Sequence, residues 1–192
     1  MHTLIFATNN RNKVAEIQSL VGNNFEIIPL KEAGIEIDIP EPHEQLEANA
    51  LEKAMTIFKM TNQACFSEDT GLEIAALDGA PGVKSARYAG ENSNAQANID
   101  LVLSKMTGIE NRAAQFRTVI CLIWKNQTYY FEGICKGQVL TTMQGENGFG
   151  YDPIFVPDGA SKSFANMTMD EKNQFSHRKK AVTQLFEFLG TL

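Results

Sequence analysis

The sequence has only three cysteines, Cys65, Cys121 and Cys135, in 192 residues. An odd number without metal-ligand spacing excludes a disulfide framework and a structural zinc site. Two of them lie in apolar runs, which points to buried, reduced thiols and to a cytoplasmic protein. Long hydrophobic runs are missing too. Leu4-Ile5-Phe6-Ala7 is too short for a signal peptide, and no stretch approaches the ~20 apolar residues that cross a bilayer, so no membrane partner is expected. Positive charge is in deficit: 17 Lys and Arg against 23 Asp and Glu leave a net charge of −6. That balance excludes a broad basic surface for nucleic acid. A small anionic ligand would need a local basic pocket or a metal ion. Internal repeats and low-complexity segments are absent, as is the G-x-x-x-x-G-K-[ST] phosphate loop.

What is present reads as a single α/β domain over residues 1–192, 43% hydrophobic and 21% charged. Thr3 to Ala7 predicts a buried strand, followed by the polar loop Thr8-Asn9-Asn10-Arg11-Asn12-Lys13 and a helix with Val14, Ile17, Leu20 and Val21 on one side. Free backbone N–H groups at the positive end of that helix would make a natural phosphate seat. Phe25 to Leu30 predicts a second strand. After Pro40-Glu41-Pro42 a helix is expected from His43 to Met60, with Asn49 and Lys53 four apart and therefore on one face.

The stretch from Phe66 to Gly90 organises the rest. Glu68 and Asp69 are expected at the end of a short strand, followed by a Thr70-Gly71 turn and a second turn cluster at Asp78 to Gly82. Carboxylates so placed suit a hard cation such as Mg²⁺, which takes only one or two protein carboxylates when phosphate and water supply the rest. A helix from Asn94 to Met106 follows, then strands at Phe116 to Trp124 and Tyr129 to Cys135 forming a hairpin, and a further strand at Gly137 to Thr142. The loop Gly145 to Pro153 carries three glycines, with Phe149 and Tyr151 offering flat faces for a base. Thr168-Met169-Asp170-Glu171 is a capping box. Ser176 then caps the last helix, which places His177 and Arg178 in its first turn, where cations oppose the helix dipole unless an anion or acceptor compensates.

Six of these pieces, in order and at matching spacing, resemble the inosine/xanthosine triphosphate pyrophosphatase family. They are Ala7-Thr8-Asn9-Asn10 with Lys13; Glu47-Ala48-Asn49-Ala50 with Lys53-Ala54; Asp69-Thr70-Gly71-Leu72; Gly79 to Val83 with Ser85-Ala86-Arg87-Tyr88; Phe149 to Phe155; and Ser176-His177-Arg178. The resemblance implies a mixed, twisted sheet with flanking helices, two lobes around a central cleft, and a homodimer. It implies hydrolysis of ITP, dITP and XTP to the monophosphate and pyrophosphate with Mg²⁺. In the family the acid matching Asp69 holds the metal and accepts the proton of the attacking water, and the acid matching Glu41 completes the metal site. The stretch matching Thr8, Asn9, Asn10, Arg11, Asn12 and Lys13 holds the triphosphate together with Lys53 and Lys172. Thr70 matches a substrate contact, Phe149, Gly150, Tyr151 and Asp152 the base-binding loop, and His177 and Arg178 the readers of the base edge. The chain departs from the family pattern at three places. Asn9 stands where glycine is common. Glu68 replaces an Asp and is a further metal candidate. Pro40-Glu41-Pro42-His43-Glu44 leaves the second carboxylate open between Glu41 and Glu44. A pyrophosphatase of the Maf type and a non-catalytic nucleotide-binding regulator are the alternative readings.

Overall fold

The first strand, β1 (His2–Phe6), is apolar on both faces, with Leu4 and Phe6 fully buried, as expected of a strand covered on two sides. A computed structural model describes the chain over residues 2–21, 25–92 and 94–191. Helix α1 (Arg11–Gln18) follows, then β2 (Phe25–Pro29), parallel to β1 in register His2 to Phe25. Helix α2 (Leu46–Thr61) starts three residues later than the sequence suggests, after the proline-broken stretch. It ends at Asn62, whose left-handed φ of 54° stops the helix.

Strand β3 (Cys65–Ile74) is longer than predicted. Glu68 and Asp69 therefore lie within a continuous ten-residue strand, and Thr70-Gly71 is not a turn. β3 runs parallel to β1, pairing Phe6 with Phe66, and the two rings stack at 4.5 Å and 7°. Helix α3 (Ala95–Lys105) leads to β4 (Ala113–Trp124) and β5 (Gln127–Val139). Lys125 and Asn126, at φ 49° and 63°, close that hairpin in two residues, the mirror-image turn that matches strand twist. The separate strand expected at Gly137 to Thr142 does not form. β5 runs on to Val139 and pairs antiparallel with a short β6 (Phe155–Pro157). The six strands form one mixed sheet in the order β2-β1-β3-β4-β5-β6. Helices α4 (Met169–Asn173) and α5 (His177–Gly190) complete the chain, α4 with the predicted reciprocal capping box of Thr168 and Glu171.

The chain divides into two compact units: residues 1–69, 118–133 and 178–192 in the first, and 70–117 and 134–177 in the second. Each has its own apolar core. The first is built on Leu4, Phe6, Ile17, Phe66, Ile120 and Leu185. The second is built on Leu72, Val102, Phe116, Ile154, Phe155 and Phe164. Burying a large apolar side chain contributes roughly 1.5–3 kcal/mol, so each cluster can hold its own functional side chains in place. All three cysteines are buried and form no disulfide. Among the described residues, no helix is long and apolar enough to cross a membrane.

Candidate active site

In the first unit, α2 presents Asn49 and Lys53 to β3 one helical turn apart. Both are almost fully buried, an expensive placement for an ammonium unless anions surround it. They do. Lys53 Nζ donates to Asp69 Oδ1 at 2.8 Å, to the backbone carbonyl of Glu68 at 2.9 Å, and to Glu41 Oε1. Asn49 orders the neighbouring parts: its Nδ2 reaches Asp69 Oδ2 at 3.4 Å, while its Oδ1 accepts from the His43 N–H at 2.9 Å and so holds the loop carrying Glu41. Of the two acids left open by the sequence, Glu41 is the one on Lys53, while Glu44 is exposed.

One ammonium between two carboxylates separates their protonation behaviour. For Lys53, burial alone would lower the pKa, but the charges of Asp69 and Glu41 outweigh it and hold the ammonium above its ordinary value. Burial likewise drives Glu41 upward, yet the Lys53 charge and hydrogen bond win, and its carboxyl lies below the usual value. Asp69 is deeper. Burial, assisted by the Glu41 charge, outweighs Lys53 and holds its carboxyl above the usual value.

The donor chemistry fits Mg²⁺ in a limited sense. Glu41 and Asp69 supply two hard oxygen donors already gathered by one cation, the number this ion commonly takes from protein. Among the described residues no group of three or more His, Cys, Asp or Glu side chains gathers. Glu68, the further metal candidate of the sequence, faces two cations. Its two oxygens accept the side-on fork of Arg178, Nε at 2.6 Å and Nη2 at 2.8 Å, and Lys13 Nζ lies 3.2 Å from Oε1. Arg178 is 1% exposed and also donates from Nη1 to Glu16. Nε, Nη1 and Nη2 are thus directed at carboxylates.

The Thr8 to Lys13 loop is partly self-satisfied. Asn10 caps α1, its Oδ1 accepting from the N–H groups of Asn12 at 3.0 Å and Lys13 at 3.2 Å, and the Asn10 N–H donates to Thr8 Oγ1 at 3.1 Å. Asn9 donates to the Ile37 carbonyl at 3.2 Å. Arg11 is exposed.

In the second unit, Asp152 is the hub. Its carboxylate, 2% exposed, accepts from the Phe149 N–H at 2.9 Å and from Lys172 Nζ at 2.7 Å. Lys172 lies 5.2 Å from the Phe149 ring centre and 5.3 Å from that of Phe164, a cation–π geometry. Lys172, which the resemblance groups with the triphosphate lysines, thus sits beside the aromatic loop. Gly148 and Gly150 turn that loop at φ 78° and 61°, and a Cβ on Gly148 would stand 2.1 Å from Asp152 Oδ2. Tyr151 packs inward. It is 4% exposed in the core and donates to the Ser85 carbonyl at 2.8 Å. His177 is buried and stacks on Phe116 at 4.7 Å and 14°. Thr70 is half-buried within β3.

In the first unit, Asn49 and Glu16 are side chains of these clusters that were not singled out as site residues in the sequence. Their signal was position, one turn before Lys53 and one turn after Lys13, but a single sequence does not say which helix face is buried.

Comparison with known proteins gives consistent results. The model of the Ham1 family matches residues 4–188. The chain is 48% identical over 190 residues to a dITP/XTP pyrophosphatase of Porphyromonas gingivalis, covering 98% of each. It is 46% identical over 186 residues to a dITP/XTP pyrophosphatase of Flavobacterium johnsoniae, covering 97% of each. Among solved structures, a HAM1 protein from Coxiella burnetii superposes with a TM-score of 0.91 at 35% identity, covering all of both chains. The Ham1 protein of Staphylococcus aureus does so at 0.89 and 36%, covering 98% of each.

Proposed function

Because the chain belongs to the Ham1 family, we propose that it hydrolyses deaminated purine nucleoside triphosphates, ITP, dITP and XTP, to the monophosphate and pyrophosphate. The observation that carries this reading is the convergence of Glu41 and Asp69 on Lys53, in a chain whose relatives over nearly their whole length are dITP/XTP pyrophosphatases.

On this reading residues 1–192 act as one catalytic domain, cytoplasmic and homodimeric. Lys13 and Lys53 bind the polyphosphate, supplying the local positive charge that a protein of net charge −6 needs to hold an anion. Glu41 and Asp69 hold Mg²⁺, which when bound neutralises phosphate charge. Asp69 takes the proton of the attacking water. A carboxyl held above its usual value is a stronger base than an exposed one, which favours this role. Asn49 fixes the direction of Asp69, and Lys53 keeps the two acids together.

Phe149 stacks the base. Lys172 and His177 are the candidate donors to its edge, with Asp152 fixing both Lys172 and the loop. A donor meets O6 of hypoxanthine or xanthine but opposes the amino group of adenine. An unpaired buried polar group costs about 1–3 kcal/mol, so a hydrogen-bonding site rejects the wrong edge strongly.

The test is product analysis across purine triphosphates with and without Mg²⁺. Pyrophosphate is expected from ITP, dITP and XTP, much faster than from ATP or GTP, and only with the metal. Orthophosphate as first product would refute the reaction, equal ATP turnover the specificity, and binding of ITP without turnover the catalytic reading.

A further inference from the structure

The carboxylate of Glu16 is 5% exposed on α1 and has no part in the chemistry outlined above. It belongs to a chain of charges: Glu16 accepts from Arg178 Nη1, Arg178 grips Glu68 through Nε and Nη2, and Glu68 Oε1 lies 3.2 Å from Lys13 Nζ. Stability alone is a poor reason for such a group. Desolvation offsets the attraction of a buried ion pair, and apolar side chains of equal volume often serve as well. Geometry is a better reason. The Arg178 fork is planar and rigid, so a carboxylate at Nη1 fixes the plane in which Nε and Nη2 meet Glu68. Glu68 Oε1 is shared between that fork and Lys13, and the Glu68 carbonyl takes a hydrogen bond from Lys53 at 2.9 Å.

We propose that Glu16 is a positioning residue that acts through Arg178 and Glu68 to place the Lys13 ammonium for polyphosphate. It touches neither substrate nor metal. Removing its charge loosens the plane of the Arg178 fork on Glu68, and Lys13 loses its fixed position.

The proposal rests on the pyrophosphatase reading for its kinetic arm only. The other arm is calorimetric binding of inorganic tripolyphosphate to the whole protein. Glu16→Gln, nearly isosteric and uncharged, is expected to lower both tripolyphosphate affinity and kcat/KM for ITP by about tenfold, as is typical when a residue orienting a functional side chain is lost. In a double-mutant cycle with Lys13→Met, the combined loss should be smaller than the product of the single losses, because both changes disable the same ammonium. Wild-type affinity and kcat/KM in folded Glu16→Gln with only a lower Tm, or losses that multiply fully, would overturn the proposal. Should Glu16→Gln fail to fold, Glu16→Asp keeps the charge and shortens its reach. A severalfold weaker tripolyphosphate affinity is then expected, and unchanged affinity overturns it. Absence of ITP turnover in the wild type would refute the pyrophosphatase reading and leave the tripolyphosphate arm standing.

Discussion

Lys53 shows how one side chain can give two like-charged neighbours opposite properties. Glu41, closer to solvent, lies below its ordinary carboxyl value of 4.5, so its charge supports folding at pH above that value. The support is lost as pH falls through the depressed native value. Asp69 lies above its ordinary 3.8. Its charge is therefore a cost to folding at pH above the raised native value, and the cost disappears in acid below 3.8. Two substitutions should accordingly move metal-free stability in opposite directions at pH 7. Glu41→Gln is expected to lower Tm, with the difference vanishing on acidification. Asp69→Asn is expected to leave Tm equal or higher while cutting turnover about 10²- to 10⁴-fold, the range for loss of a general base. Paired melting curves and rate assays check this, and a large fall in the Tm of Asp69→Asn would contradict the assignment. The carboxylates at 41 and 69 were legible in the sequence as candidates. Their unequal burial was not, because it depends on how far α2 and the loop before it cover β3.

At the scale of elements, β3 departs most from expectation, and the reason is a glycine. Thr70-Gly71 reads as a turn because glycine permits positive φ, yet Gly71 keeps strand geometry. It is glycine because a Cβ there would stand 2.5 Å from the carbonyl oxygen of Gly82. That close approach lets the Asp78 to Gly82 loop dock on the strand. Leu72 donates its N–H to Ser85 Oγ at 2.9 Å, Ser85 donates to the Gly82 carbonyl at 2.6 Å, and Glu73 bridges to Pro81. Gly71→Ala should therefore destabilise by about 1–3 kcal/mol, the usual cost of overpacking. Denaturant titration measures it, and an unchanged midpoint would refute the close approach. The same ambiguity produced the false strand at Gly137 to Thr142: β-branched and apolar residues mark strand content but not where one strand ends and the next begins. Helices α1, α3 and α4 were nearer to expectation because their caps, Asn10, Asn94 and Thr168, are written locally.

For the whole molecule, the proposed homodimer predicts a sedimentation mass near twice the 21.3 kDa of one chain, independent of substrate. A monomer at micromolar concentration would refute it. Legibility at this scale follows from physics. The order of the chemical motifs, the α/β alternation and the acidic balance are properties of the linear chain, and through them the sequence by itself determined the family and the kind of reaction to expect. Pairings far apart in sequence were beyond its reach. The resemblance names Arg178 as a base contact, and no local pattern shows that the fold sets its guanidinium against Glu68 and Glu16, 110 and 162 residues away. The resemblance names Lys172 as a phosphate lysine, and the fold sets it against Asp152 among aromatic rings. Whether a charged side chain meets solvent, ligand or a buried partner depends on which surfaces the fold removes from water. That is a property of packing and not of local pattern, so the tertiary structure alone decided it.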